Sequence, residues 1–344
     1  MKKKYKSLIA VVLLIALFAW LYFLNKEYID NLGMGNYVST QRDLKKSEIG
    51  KSELNILFVG DIMLDRKIRK IISESGSLEN FVSDFLSNFS KENKNYDYIA
   101  ANLEGPITEN RTKTYNPDGS YTGLLTFTFP TSTAKILNLL NIKVVSIANN
   151  HTDNFGNVGL QDTKRFLEEG SIKYFGNPYN DNQKESLSNI ICEKSICIAY
   201  VGYHEFAINY DSQRIEEEIQ KLKQDTKVDF IIIFPHWGTE YRKTSNQNQK
   251  NLAHKWIDVG GDMVIGMHPH VIEESEVYGG KYIYYSLGNY IFDQWFSEEV
   301  KNGLAVNFKF KKEALENGEI KREIEFIKEI KVHSEKTEVG YILE

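Results

Sequence analysis

The sequence predicts an α/β layered domain, and three observations carry that prediction. Short apolar runs alternate with stretches of helical spacing over most of the chain's 344 residues. Hydrophobic residues make up 42% and charged residues 26%, which suits one large globular domain with additions at its ends. Polar side chains gather at the ends of the apolar runs, where open α/β sheets collect their ligands. A net charge of −5 offers no basic field, so nucleic acid is excluded as a partner.

The chain starts with Lys2, Lys3, Lys4 and Lys6, followed by an uncharged run from Leu8 to Leu24. A helix of that length roughly spans a bilayer core, with Trp20 and Tyr22 as interfacial anchors and the lysines held in the cytoplasm. The expected layout is a cytoplasmic basic tail (1–6), a transmembrane anchor (7–24), a polar stalk (25–52) and an extracellular domain. A cleaved signal peptide is the competing reading.

Beyond the stalk, "LNILFVGD" reads as a strand, and "RKIRKIIS" and "SLENFVSDFLSNF" as helices. "YDYIAANLE" is a second strand. "TSTAKILNLLN" is a helix leading into the strand "IKVVSIA". "GNVGLQDTKRFLEEG" is a helix closed by Gly170. "NIICEKSICIAYVG" reads as a hairpin, whose Cys192 and Cys197 are either disulfide-bonded outside the cytoplasm or two small buried hydrophobes. "SQRIEEEIQKLKQD" is a charged helix before the strand "VDFIIIFPHWG". A further helix, "NQKNLAHKWIDVG", precedes "DMVIGMHPH" and the hairpin "SEVYGGKYIYYSLGNYIFD". The tail alternates as a closing hairpin around "ENGE", which sets a core domain at 53–297 and a C-terminal β-hairpin extension at 298–344.

The residues that end these runs are Asp61, then Asn102 and Glu104, then Asn149, Asn150 and His151, then His236, and finally His268 and His270. Each has a dull explanation singly: a cap, a turn or a satisfied core histidine. Their coincidence at five strand ends does not. Imidazole, carboxylate and amide oxygen together suit Mn, Fe or Zn, and six candidate ligands suit one or two ions sharing a carboxylate.

The ordered pieces "VGDIMLDR", "ANLEGPIT", "IANNHTDNFG", "FPHWGTEY", "GMHPHVI" and "YSLGNYIFD" resemble the CapA-type capsule (poly-γ-glutamate) biosynthesis family, within the calcineurin-like metallophosphoesterase superfamily. The resemblance covers about residues 54 to 297 and implies two mixed β-sheets packed as a sandwich flanked by helices. It implies Asp61 on a first metal, Glu104 bridging, Asn150 and His236 on a second, His268 with the second and His270 with the first. His151 is the implied acid for the leaving group. Asn102, Asn149 and Asp153 would orient these groups, and Asn289 would line the pocket or serve a hairpin turn. The superfamily's usual first motif is Asp-x-His, whereas this chain has Met63 at the third position, which leaves the first metal with fewer ligands.

The implied function is a membrane-anchored, extracellular metal-dependent hydrolase acting on an anionic polymer or a phosphorylated substrate. The alternative is a non-catalytic component whose metal pocket binds the polymer, with a membrane synthase or export complex as partner.

Overall fold

In a computed structural model of the chain, the structure describes residues 50–85, 96–114, 120, 122–179, 186–207, 211–337 and 340–343. The basic tail, the anchor and all of the stalk before residue 50 lie outside them. Among the described residues no helix is long and apolar enough to cross a membrane. By contact the chain divides into two units: Met1–Lys51 with Glu313–Lys321, and Ser52–Lys312 with Arg322–Glu344. In the first, Ala314 N–H donates to the Gly50 carbonyl and Leu315 N–H to that of Glu319, shaping the turn at "ENGE".

The second unit is built on two mixed sheets. Strands β1 (Lys51–Ile62), β2 (Tyr98–Leu103), β3 (Ile142–Ser146) and β4 (Lys173–Phe175) run parallel in the first sheet. The second sheet contains β5 (Ser188–Glu193), β6 (Ile196–His204), β7 (Phe230–His236), β8 (Met263–Ile265), β9 (Ser275–Tyr278) and β10 (Lys281–Tyr284). Its order is β5-β6-β7-β8-β10-β9. The chain then returns to the first sheet: β11 (Asn289–Ile291) pairs in parallel with β1, Asp61 opposite Asn289. Strands β12 (Asn302–Ala314), β13 (Ile320–Thr337) and β14 (Gly340–Leu343) complete that sheet in the order β14-β13-β12-β1-β2-β3-β4. The C-terminal hairpin is therefore integral to the sheet, beside β1.

Seven helices are described: α1 (Arg66–Glu74), α2 (Leu78–Phe85), α3 (Thr133–Leu139), α4 (Gly156–Glu169), α5 (Gln213–Gln224), α6 (Gln247–Asp258) and the one-turn α7 (Glu298–Lys301). Three apolar layers follow. Leu57, Val59 and Ile99 pack with Ile68, Leu137 and Leu160 of the helices on one side of the first sheet. Ile56, Phe58 and Val144 meet Ile198, Phe234 and Ile265 between the sheets. Val201 and Ile233 meet Ile219, Leu222 and Trp256 on the outer side of the second. Strands covered on both faces read as unbroken apolar runs, and β7, "FIIIFPH", is buried throughout.

One local expectation holds with a different closing geometry, and one needs correction. Gly170 closes α4 with an ordinary φ of −81°, and it is Ser171, at φ 58°, that turns left-handed. Ser171 N–H donates to Glu168 and Ile172 N–H to Leu167, the paired closure that usually employs glycine one position later. Gly170 is required for a different reason: a Cβ there would sit 2.5 Å from the Cβ of Ala134 on α3. By contrast, "HPH" does not continue a strand. β8 stops at Ile265, and His268 and His270 stand in the following loop with φ of 97° and 57°.

The cysteine hairpin forms as expected. Cys192 and Cys197 face each other across β5 and β6 and are joined by a disulfide, with Lys194 and Ser195 both left-handed in the two-residue turn.

Candidate metal centre

Parallel strands in both sheets release their carboxyl ends at one rim, and the polar residues at those ends converge there. Asp61, Glu104 and His236 each place a ligand atom within 4.8 Å of the other two. His270 Nδ1 lies 3.5 Å from Asp61 Oδ2, and its Nε2 lies 3.7 Å from Glu104 Oε1. His268 Nδ1 is 3.1 Å from His236 Nε2, which is 3.0 Å from Asn150 Oδ1. These contacts link all six sequence-derived ligand candidates.

Burial dominates the electrostatics. Asp61 and Glu104 are wholly buried. Desolvation pushes the Asp61 carboxyl up to about 7, against the hydrogen bonds from Asn102 and the His268 backbone. Glu104 is pushed well above the usual carboxylate range, by burial first and then by the neighbouring Asp61. Burial lowers the imidazoles in turn: His236 well below its ordinary value, His270 to about 3 and His268 to about 2, with neighbouring histidines adding to the effect. Neutral imidazoles and carboxylates short of compensating charge are what a divalent cation requires of its ligands.

The amides fix these groups in place. Asn149 Oδ1 accepts from the backbone N–H of His151 and Thr152 and from the Thr152 hydroxyl, so its Nδ2 must donate, to the Leu103 carbonyl and to Asn102 Oδ1. Asn102 Nδ2 is then bound to donate to Asp61 Oδ1 at 2.8 Å, and it also lies 3.3 Å from His236 Nδ1. Asn289 Oδ1 meets His270 Nδ1 at 3.0 Å while its Nδ2 donates to Gln294 and the Val300 carbonyl. Asn289 thus sits in β11 and orients His270, and no hairpin turn explains it.

The fit to a cation rests on Glu104. Among the described residues, both of its carboxylate oxygens are buried and neither has a hydrogen-bond partner. Leaving an ionised carboxylate in that condition costs several kcal/mol or more. A divalent ion would satisfy those oxygens, and Asp61, Glu104 and His236 would hold it with Asn150, His268 and His270 close by. Met63 is not among the holders. It is buried in the core against the helices, and its sulfur accepts the Asp65 backbone N–H.

His151 stands beside the centre with its ring 4.1 Å from that of Phe127. Its Nδ1 lies 3.1 Å from Asn154 Oδ1, which also accepts from the Phe127 N–H at 2.7 Å. That second donor fixes the amide oxygen as acceptor, so His151 carries its proton on Nδ1 and leaves Nε2 as the exchanging nitrogen. Burial lowers its pKa to about 4. Asn154, rather than the expected Asp153, makes this contact; burial raises the Asp153 carboxyl, and its carbonyl accepts from Gly156 N–H.

Several neighbours escaped the sequence reading. Arg66 pairs with Asp293. Phe206 packs 4.3 Å from the His268 ring, and Tyr241 stacks on His270 at 6.1 Å. His204, opposite His236 in the β6–β7 register, is buried and its Nε2 is unpartnered among the described residues. In the sequence, His204 stood at a strand end, the position that had already selected the others, whereas Arg66 lies four residues past one.

A protein of Bacillus subtilis named "PGA biosynthesis protein CapA" is 29% identical over 272 residues, covering 75% of this chain and 68% of the relative. "Capsule biosynthesis protein CapA" of Bacillus anthracis is 29% identical over 261 residues, covering 70% of this chain and 60% of the relative. Among solved structures, the NAD nucleotidase of Haemophilus influenzae aligns with a TM-score of 0.47 and 13% identity, over 85% of this chain and 53% of that one. That likeness is too distant to bear on function. The family model described as "Bacterial capsule synthesis protein PGA_cap" matches residues 55–294, from β1 through the whole ligand set, and the chain belongs to that family.

Proposed function

We propose that this chain is a metal-dependent hydrolase of the phosphoesterase type, acting in the synthesis or export of capsular poly-γ-glutamate. The names of the two Bacillus relatives support the pathway. The orphaned carboxylate of Glu104, facing Asp61 and His236, supports the chemistry. We place the domain on the outer side of the cell membrane, tethered by the apolar segment after the N-terminal lysines.

When bound, one or two divalent ions (Mn, Fe or Zn) would supply positive charge to polarise the scissile group and acidify water. The chain's own residues do the rest. Asn102, held by Asn149, keeps Asp61 aligned, and Asn289 keeps His270 aligned. His151 exchanges a proton at Nε2 while Asn154 and Phe127 fix its ring. Burial keeps that imidazole neutral in the free protein, so it serves as an acid only after an anionic substrate raises its proton affinity.

One observation favours a second reading, in which the pocket binds the polymer without cleaving it. Met63 fills the core where the superfamily's usual motif has a ligand histidine. His151→Ala in the full-length chain separates the two. On the hydrolase reading it keeps its metal and loses about 100-fold or more of the turnover of an aryl phosphate or a γ-glutamyl anilide. Wild-type turnover in that variant, or none in the parent protein loaded with Mn, Fe or Zn, would remove the hydrolase reading.

A further inference from the structure

Arg66 follows the first ligand strand by four residues and opens α1 with a left-handed φ of 52°, a conformation that costs a non-glycine residue free energy. Asp293, almost wholly buried, pairs with one terminal nitrogen of its guanidinium and also accepts the Lys67 backbone N–H. The guanidinium carbon lies 5.0 Å from the centre of the Phe127 ring and 5.7 Å from that of Phe292. Those rings touch the metal centre: Phe127 packs on His151 at 4.1 Å and Phe292 on His270 at 4.7 Å. The Arg66 charge is felt at Glu104, His151 and His270 alike. Its Nε–H is buried and unpartnered among the described residues, while the side chain as a whole keeps 24% of its exposure.

A cation held by one carboxylate, packed against two rings and still carrying an unused donor, is poorly explained as a structural ion pair. A surface arginine that only stabilised α1 would not need a left-handed backbone or a buried free N–H. The same features are what recognition of an oxyanion by a planar fork of donors requires.

We propose that Arg66 is the anion-recognition residue of this centre, receiving a carboxylate or phosphate oxygen pair of the substrate beside His151 and His270. The inference rests on the proposed function for the substrate's place, so its test is read by binding and not by turnover. Inorganic phosphate and glutarate are titrated separately by calorimetry into the full-length, metal-loaded chain, as wild type, Arg66→Gln, Arg66→Lys and Asp293→Asn. Metal content and Tm are measured alongside. The expected result is that at least one anion binds the wild type and that Arg66→Gln weakens it about 10-fold or more, with metal retained. Arg66→Lys should fall between, because an ammonium cannot make the two-pronged contact. Asp293→Asn, which frees the guanidinium from its competing carboxylate, should bind as tightly as wild type or tighter. Preference for phosphate or for glutarate names the substrate's anionic group.

Unchanged affinity in Arg66→Gln overturns the proposal, as does a wild type that binds neither anion. If Arg66→Gln does not fold, Arg66→Lys and Asp293→Asn decide, and a drop of equal size in both would mean that the pair is structural. Intact anion binding without turnover would instead count against the hydrolase reading alone.

Discussion

Carboxylates stand at the amino end of the second sheet as well as at the carboxyl rim of the first, and the two places treat them in opposite ways. At the amino end Asp229 accepts from the Cys197 N–H, from Lys312 at 2.8 Å and from Arg322 at 3.0 Å. Asp262 beside it accepts from the Ile231 N–H and pairs with Lys281. At the carboxyl rim, among the described residues, Glu104 has no hydrogen bond to either oxygen and Asp61 has only two amide donors on its side. Asp229 is buried, as Asp61 and Glu104 are. Burial alone therefore does not mark a functional acid. What marks one is burial without the compensating charge that the same fold supplies elsewhere.

Glu104→Gln should have the largest effect on this contrast. It should abolish tight binding of a divalent ion, read by elemental analysis, while raising the Tm of the metal-free protein because it removes an uncompensated buried charge. A metal-free variant less stable than its parent would mean that Glu104 has a partner in solution. Asp229→Asn should do the reverse, costing about 2 kcal/mol in urea unfolding by stranding Lys312 and Arg322, with metal content unchanged. The cost is set below that of a fully buried pair because both partners keep about a third of their exposure (28% and 37%).

The pH dependence of the chelated protein sharpens the comparison further. Burial depresses His151 and His204 to about 4 and His270 to about 3 in the folded state. Stability held above the unfolded histidine value of ~6.5 should therefore be lost as pH falls from there towards 4. Asp61 works in the other direction. Its folded pKa is raised to about 7, so the stability it offers is complete below its unfolded value of 3.8 and disappears as pH rises through 7. Asp61→Asn should lessen the loss between pH 3.8 and 7, the part that remains belonging to Glu104, in a Tm-against-pH series with chelator present. Equal slopes in variant and parent would show that Asp61 is solvated in the apo protein.

The smallest effect is expected at the disulfide. Cys192 and Cys197 close a short loop, and the hairpin register is already set by the turn and the strand pairs around them. Changing both to Ala should cost at most about 2 kcal/mol and leave metal content alone. A loss of bound metal would tie the hairpin to the rim through β6, which ends in His204.

Much of the site was legible because parallel strands deliver their final side chains to one rim, so the ends of apolar runs could be read without coordinates. Asp61, Glu104, Asn150, His236, His268 and His270 were all selected in that way, and the fold brings them together. The second tier was half legible. Asn102 and Asn149 stand on or just past strands, whereas Asn154 reaches His151 from within a turn, and a residue's neighbour is not visible in a pattern of strand ends. Arg66 was obscured by its own helix, whose spacing explains a basic residue without appeal to a site. The reach of β11 from the second sheet back to the first left no periodic signal at all. It rests on Gly60 and Gly288, since a Cβ on Gly60 would sit 1.8 Å from the Gly288 carbonyl oxygen.

By itself the sequence determined the alternation of strands and helices, the layered class that follows from it and the identity of the groups brought to the rim. Those are properties of local periodicity and residue chemistry, and they survive without knowledge of neighbours. Only the tertiary structure decided which carboxylates would be neutralised by the chain and which would be left for a cation. That outcome depends on whether a Lys, an Arg or an N–H from a distant segment arrives within hydrogen-bond reach, and distance in space is not written in distance along the chain.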